Sequence, residues 1–236
     1  MEIVVTDLTR FQNQNLLCLA GINPEDGKCI RPTPYLQSDH CLQQNILPGA
    51  RLTGYFQPKV SEAPHLEDRY CTDLKKNGCC SYMEFYSILS ETRSPSLCAG
   101  FGVNLEADQK YFKHDHPPQK SIITIEVDPD DITILNDQYS SGRLKCIFTD
   151  VAGNEFRYIS VTDYSFSEFA EKEWTDDFAI QDLNDFLMSQ KTIMLRIGLT
   201  RRYCSPDGRD GYWIQVNGIY SFPEIYCRIR NLFKNG

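Results

Sequence analysis

Short β-branched runs separated by turn residues constrain this chain more than anything else in it. Glu2 to Thr9 reads EIVVTDLT and Asn15 to Ile22 reads NLLCLAGI, two strand-like runs. Pro24-Glu25-Asp26-Gly27 is a turn signal, and Lys28 to Pro32 leaves it as a third strand. Pro48-Gly49 marks another turn before Ala50 to Gln57. A second β-rich block holds Ile122 to Val127, Ile132 to Leu135, Leu144 to Thr149 and Phe156 to Val161, with Ala152-Gly153-Asn154 as a hairpin turn. Thr192 to Thr200 and Tyr212 to Tyr220 close it, joined by the turn-like CSPDGRDG.

Helical spacing interrupts this pattern twice. Ser81 to Thr92 places Met83, Tyr86, Ile88 and Leu89 at helix-compatible positions, and Tyr164 to Gln190 reads as one or two acidic helices. Residues 59–80 read as polar and irregular. Residues 93–119, with Gly100, Gly102, Pro117 and Pro118, read as a linker or exposed loop. The tail from Ser221 onward, SFPEIYCRIRNLFKNG, reads as a last short helix. In the second block a helical segment follows the strands and a hairpin closes them, as in a five-stranded OB barrel, where a helix lies between the third and fourth strands. Six strand candidates leave one without a place in such a barrel. The expected fold is mainly β with a few helices: two tandem OB-like β-barrels, over residues 1–117 and 118–236.

Composition narrows the setting. The chain has 236 residues, 41% hydrophobic and 24% charged, which is ordinary for a globular protein. It has no apolar run of about 18 residues, so no membrane-spanning helix and no membrane partner are expected. The first residues lack the pattern of a signal peptide, so a reducing cytoplasm and free thiols are expected for the ten cysteines. Paired CxxC ligands are absent. A metal site from Cys71, Cys79 or Cys80 with His65, or a His40–Cys41 nucleophilic pair, rests on residue type alone, and no cofactor is expected. Walker, GxGxxG, GxSxG and HEXXH motifs are absent, which argues against the common nucleotide hydrolases, dehydrogenases and hydrolases.

The net charge of −8 is unevenly spread. Asp163 to Asp185 is strongly acidic, and the chain from Lys191 onward is basic. The two stretches are either ordinary solvated faces that pack on each other, or a groove and a segment that covers it like a nucleic-acid decoy. On the second reading Arg196, Arg201, Arg202 and Arg209 line the groove, with Tyr203, Tyr212 and Trp213 interleaved to stack on bases. Arg31 ends a strand, where it serves as a salt bridge or a ligand contact; Arg10 and Arg51 stand at comparable ends. His65, Glu67 and Asp68 form the most site-like polar cluster: a general acid–base pair, carboxylates for a divalent metal, or a loop that satisfies its own acids. Asp163, or Thr162, is placed to cap the helix that follows.

Four stretches together resemble the bacterial dual OB-fold domain family: VVTDLTR leading to CLAGINPEDGKCIRP, the segment APHLEDR, Val161-Thr162-Asp163, and LRIGLTRRYCSPDGRDGYWIQVNGIY. The likeness spans nearly the whole chain. Arg201-Arg202 with a longer turn in the last hairpin, and the long acidic insert after Asp163, depart from the pattern. The resemblance implies a pair of barrels with a nucleic-acid or nucleotide-binding role and no assigned activity. The resulting expectation is a module that binds single-stranded DNA or RNA without catalysis, in a bacterial defence or repair system, with a protein partner from the same operon. The alternatives are a nucleotide-signal sensor or protein-interaction scaffold, and a metal-dependent hydrolase using His65, Glu67 and Asp68.

Overall fold

A computed structural model describes residues 1–230 apart from Gln12, Gln14, Ala107, Thr175 and Asp177. The first half holds β1 (Glu2–Arg10), β2 (Leu16–Ile22), β3 (Cys29–Thr33), β4 (Leu36–Gln37), α1 (Ser38–Gln43), β5 (Ala50–Pro58), β6 (Asp68–Cys79) and α2 (Tyr82–Glu91). Next come β7 (Arg93–Ser94), α3 (Leu97–Phe101), β8 (Tyr111–Lys113), β9 (Ile122–Val127), β10 (Ile132–Asn136), β11 (Leu144–Thr149) and β12 (Glu155–Val161). The chain continues through α4 (Tyr164–Lys172), α5 (Ala179–Met188), β13 (Thr192–Leu199), β14 (Tyr203–Cys204) and β15 (Asp210–Phe222).

The first sheet is a closed barrel. Its order is β1-β5-β6-β3-β2, and β1 also pairs with β2 to complete the ring. All these pairings are antiparallel except β3 with β6. β1 serves both neighbours: Glu2 to Val4 face β5, and Val4 to Arg10 face β2, with a register shift between Val5 and Asp7. Such an irregularity bends a strand and lets it turn a barrel corner. Ile3, Val5, Leu8, Leu17, Leu19 and Leu52 fill the interior.

The second sheet runs β10-β11-β12-β15-β13-β9, with β12 and β15 parallel. The short β7 continues the path beyond β9. β9 and β10 are consecutive in the chain, joined by a 3-10 turn at Pro129–Asp131. Together they do what β1 does alone: β9 pairs with β13, and β10 with β11. This resolves the surplus strand, because two of the six candidates are halves of one bent strand. Pro129 is the physical cause, since it has no backbone N–H to offer a ladder. α4 and α5 lie between the third and fourth strands, as their sequence position requires, and Asp163 caps α4 by accepting from the Ser165 and Phe166 amides.

Three expectations are corrected. Residues 59–80 contain the 12-residue β6, which closes the first barrel. Its sequence DRYCTDLKKNGC carries little apolar signal because most of its side chains face solvent, so β5 and β3 hold it by backbone pairing. Residues 93–119 hold β7, α3 and β8, and Leu97, Phe101 and Phe112 belong to the second core. β7 pairs with β9 and β8 with β15, both in the second sheet. The tail forms a turn at 227–229, and residues 231–236 lie outside the described residues.

The barrels are packed face to face. Val4 and Ile22 from the first meet Met194, Tyr220 and Phe222 from the second, with Phe85, Ile88 and Leu89 of α2 sealing the seam. This is why β1 is buried along nearly its whole length instead of on alternate residues. None of the helices among the described residues is long and apolar enough to cross a membrane.

Candidate functional site

The residues that the sequence marks as candidates fall mainly in two places: the seam between the barrels and one outer face of the second barrel. The seam holds much of what the sequence marks as a ligand site. Arg31 donates from Nε to Asp68 Oδ1 at 2.6 Å, and its Nη2 lies 2.9 Å from His65 Nδ1. Arg201 reaches the other Asp68 oxygen at 2.8 Å and also contacts the Tyr35 hydroxyl. Burial acts against the Asp68 carboxylate, but the Arg31 and Arg201 guanidinium groups outweigh it and hold its pKa below the usual range. Burial, reinforced by the same two cations, pushes the His65 pKa down to about 3. His65 is therefore neutral near pH 7. Because its Nδ1 accepts from Arg31, the ring proton sits on Nε2.

Glu67 faces the second barrel. Its Oε1 accepts from the Ser121 and Ile122 amides, and its Oε2 from the Ser121 hydroxyl at 3.1 Å. Arg196 is buried in the same seam, where Asp7, Thr124 and Cys29 share its guanidinium. Burial pushes the Cys29 thiol up to about 12 despite Arg196. Arg31 and Arg196 are thus buried joints and take no part in the expected basic groove on the closing hairpin: a carboxylate, Asp68 or Asp7, meets each guanidinium. His65, Glu67 and Asp68 are each engaged with the protein itself. No group of three or more His, Cys, Asp or Glu is placed to hold a metal among the described residues.

The acidic segment meets basic residues elsewhere. Arg10 pairs with Glu171, and Arg228 with Glu173, Asp176 and Asp182. Arg230 pairs with Asp163, buried between the Phe166 and Tyr220 rings. Acidic helices and basic tail therefore pack on each other, and among the described residues the ion pairs of the segment do not involve Arg201, Arg202 or Arg209.

The outer face is built by β15, whose first residues pair with both β14 and β8. Trp213 stacks on Tyr111 of β8, ring centroids 4.9 Å apart and 24° from parallel. The Arg209 guanidinium lies 4.8 Å over the other ring of the pair, that of Trp213. Arg209 pairs with Asp207, and Arg202 with Asp210. Tyr203 is exposed. Tyr212 points the other way, edge-on to His65 in the seam. Of the eight expected nucleic-acid residues, the structure gathers Arg202, Tyr203, Arg209 and Trp213 on this face; Arg201 joins Tyr35 and Asp68 at the edge of the seam.

Several residues of the face carry no obvious signal in the sequence. Lys110 lies 5.5 Å over the Tyr158 ring. Burial lowers the Lys110 pKa, and the nearby Lys145 and Arg209 charges lower it further. Tyr158 is 54% exposed, with a φ of 56°. It sits where Arg157 and Tyr158 together oppose Ile147, a β-bulge. Bulges re-aim side chains, and a positive φ at an aromatic residue is costly, so neighbouring structure must hold it. The break in alternation at Tyr158-Ile159 in FRYISV is the one trace available in sequence.

No family model matches this chain, and no curated protein matches it.

Proposed function

We propose that this chain is a tandem OB-type protein that binds single-stranded nucleic acid on the outer face of its second barrel, the role implied by its resemblance to the bacterial dual OB-fold domain family. The observation that carries the reading is the coincidence of topology and chemistry. OB folds bind oligonucleotides on their second and third strands and in the loops after strands one and four. In strand order these are β11, β12, residues 137–143 and residues 200–209. Lys145 lies on β11, Tyr158 on β12, the 94%-exposed Tyr139 in the first loop and Arg209 in the second. The Arg209–Trp213–Tyr111 stack borders them. Flat rings accept any base, and the interleaved cations meet phosphates, which is what sequence-tolerant single-strand binding requires.

Fluorescence anisotropy with labelled single-stranded DNA and RNA tests the reading over a salt series. Binding to this face weakens as salt rises, because phosphate contacts release counterions. Absence of binding to both polymers at low salt overturns it.

A further inference from the structure

A separate cleft of about 370 Å³ opens between the barrels, on residues that the outer face does not use. That volume lies within the ordinary range of small-molecule sites, roughly 300–1,000 Å³. The first barrel contributes Lys28, Glu67 and Arg69, and the second contributes Arg196; Lys120 enters from the segment before β9. Lys28 and Lys120 are exposed and Arg69 is half-buried, whereas Glu67 and Arg196 are buried. The cleft therefore has a cationic outer side and an inner side that carries a carboxylate.

The charges are not all available. Lys28 pairs with Asp26, and Asp7 matches Arg196. Arg69 and Lys120 form no ion pair among the described residues; Arg69 donates only to the Leu66 and Asp68 carbonyls. Two uncompensated cations match a phosphate monoester, which carries about −1.5 to −2 charge at pH 7. On the inner side, Glu67 Oε2 accepts a single hydrogen bond, from Ser121. A carboxylate oxygen has a second lone pair, so it can take a further N–H. Ile22, Ile122 and Ile123 supply apolar lining.

We propose that this cleft binds a small molecule with a phosphate monoester at one end and a ring carrying an N–H donor at the other, a nucleoside monophosphate in chemical class. The phosphate lies against Arg69 and Lys120, and the ring donor reaches Glu67. Because both barrels line the cleft, the ligand also ties them together, so its binding raises the stability of the whole chain.

Calorimetric titration of the full chain with the four nucleoside 5′-monophosphates, their parent nucleosides and inorganic phosphate tests this. At least one monophosphate binds, and its nucleoside and inorganic phosphate each bind at least about tenfold more weakly, since each lacks one anchored end. Arg69→Ala with Lys120→Ala weakens the monophosphate by about tenfold or more, whereas Trp213→Ala leaves it unchanged. Lys120→Ala alone alters an exposed side chain and serves as the variant whose folding is not at stake. Three results overturn the proposal: no monophosphate binding tighter than ~1 mM, inorganic phosphate binding as tightly as the nucleotide, or affinity lost in Trp213→Ala but kept in the cationic double variant. The last result leaves oligonucleotide binding on the outer face standing, and failure of oligonucleotide binding does not affect the cleft.

Discussion

Arg196 of β13 is joined to Asp7 of β1 across the barrel seam, Nη2 to Oδ2 at 2.7 Å, with each side chain only 2% exposed. Thr6 and Thr124 hydroxyls donate to and accept from the pair, and Asp7 Oδ1 is left with no hydrogen-bond partner among the described residues. Burial opposes the Arg196 charge, but Asp7 overrides it and raises the Arg196 pKa above its ordinary value. Removing one partner of such a pair strands the other charge away from water, at a cost of about 3–5 kcal/mol. Arg196→Ala is therefore expected to lower stability by that order in urea melts. Replacing both partners, as Arg196→Met with Asp7→Leu, removes the stranded charge and restores most of the loss. A double variant no more stable than Arg196→Ala contradicts this account of the seam.

His65 makes stability depend on pH in the mildly acid range. Its folded pKa of about 3 lies below the ordinary histidine value of 6.5. Between these values the unfolded chain binds a proton that the folded chain refuses, so stability falls as pH falls. From pH 7 to pH 5 the loss is on the order of 1–2 kcal/mol. Urea melts of wild type and His65→Gln at the two pH values check it: the variant loses less on acidification. Equal losses in both proteins mean that His65 is charged, or exposed, in the fold.

How far the sequence reveals such features depends on whether the cause is local. β1 and β9 are legible because β-branched runs make strands wherever they pack. β6 is not, since an outward-facing strand of charged residues looks like a loop until its partners are known. His65, Glu67 and Asp68 stand out as a polar cluster, and they are buried together. What sequence cannot separate is a polar seam between two barrels from a ligand site, because both concentrate charge near strand ends. Asp7 sits within EIVVTDLT with nothing nearby to announce a partner 189 residues away. Trp213 and Arg209 are visible as an aromatic and a cation in one hairpin; Tyr111 reaches them only through the pairing of β8 with β15.

If the outer face binds single strands as proposed, Trp213 carries the largest share of the affinity. Base–aromatic stacking contributes about 1–3 kcal/mol per base, so Trp213→Ala weakens binding by roughly five- to 150-fold. Tyr158→Ala acts in the same direction. Arg209→Ala reduces the salt slope as well, because it removes a phosphate contact, while Trp213→Ala leaves the slope unchanged. Anisotropy titrations of the variants at several salt concentrations separate the two effects. A Trp213→Ala protein that binds as tightly as wild type places the polymer elsewhere.

Gly211 decides whether the stack forms at all. It pairs with Lys113 at the start of β15, and a Cβ there runs into the Phe112 carbonyl oxygen and approaches the Tyr111 ring. Gly211→Ala must therefore push β8 off β15. Phe112 is buried in the second core against Phe101, so the displacement disturbs packing as well as pairing. Overpacking of this kind costs typically about 1–3 kcal/mol. The expected protein is folded but less stable, its Trp213 fluorescence is shifted to the red because Tyr111 no longer covers the ring, and its single-strand affinity falls toward that of Trp213→Ala. Arg196 lies mid-strand in β13 opposite Gly218, away from Gly211 along β15, so the barrels stay docked and the stability loss stays below that of Arg196→Ala. Unchanged fluorescence together with unchanged stability shows that β8 does not pack on β15 as described.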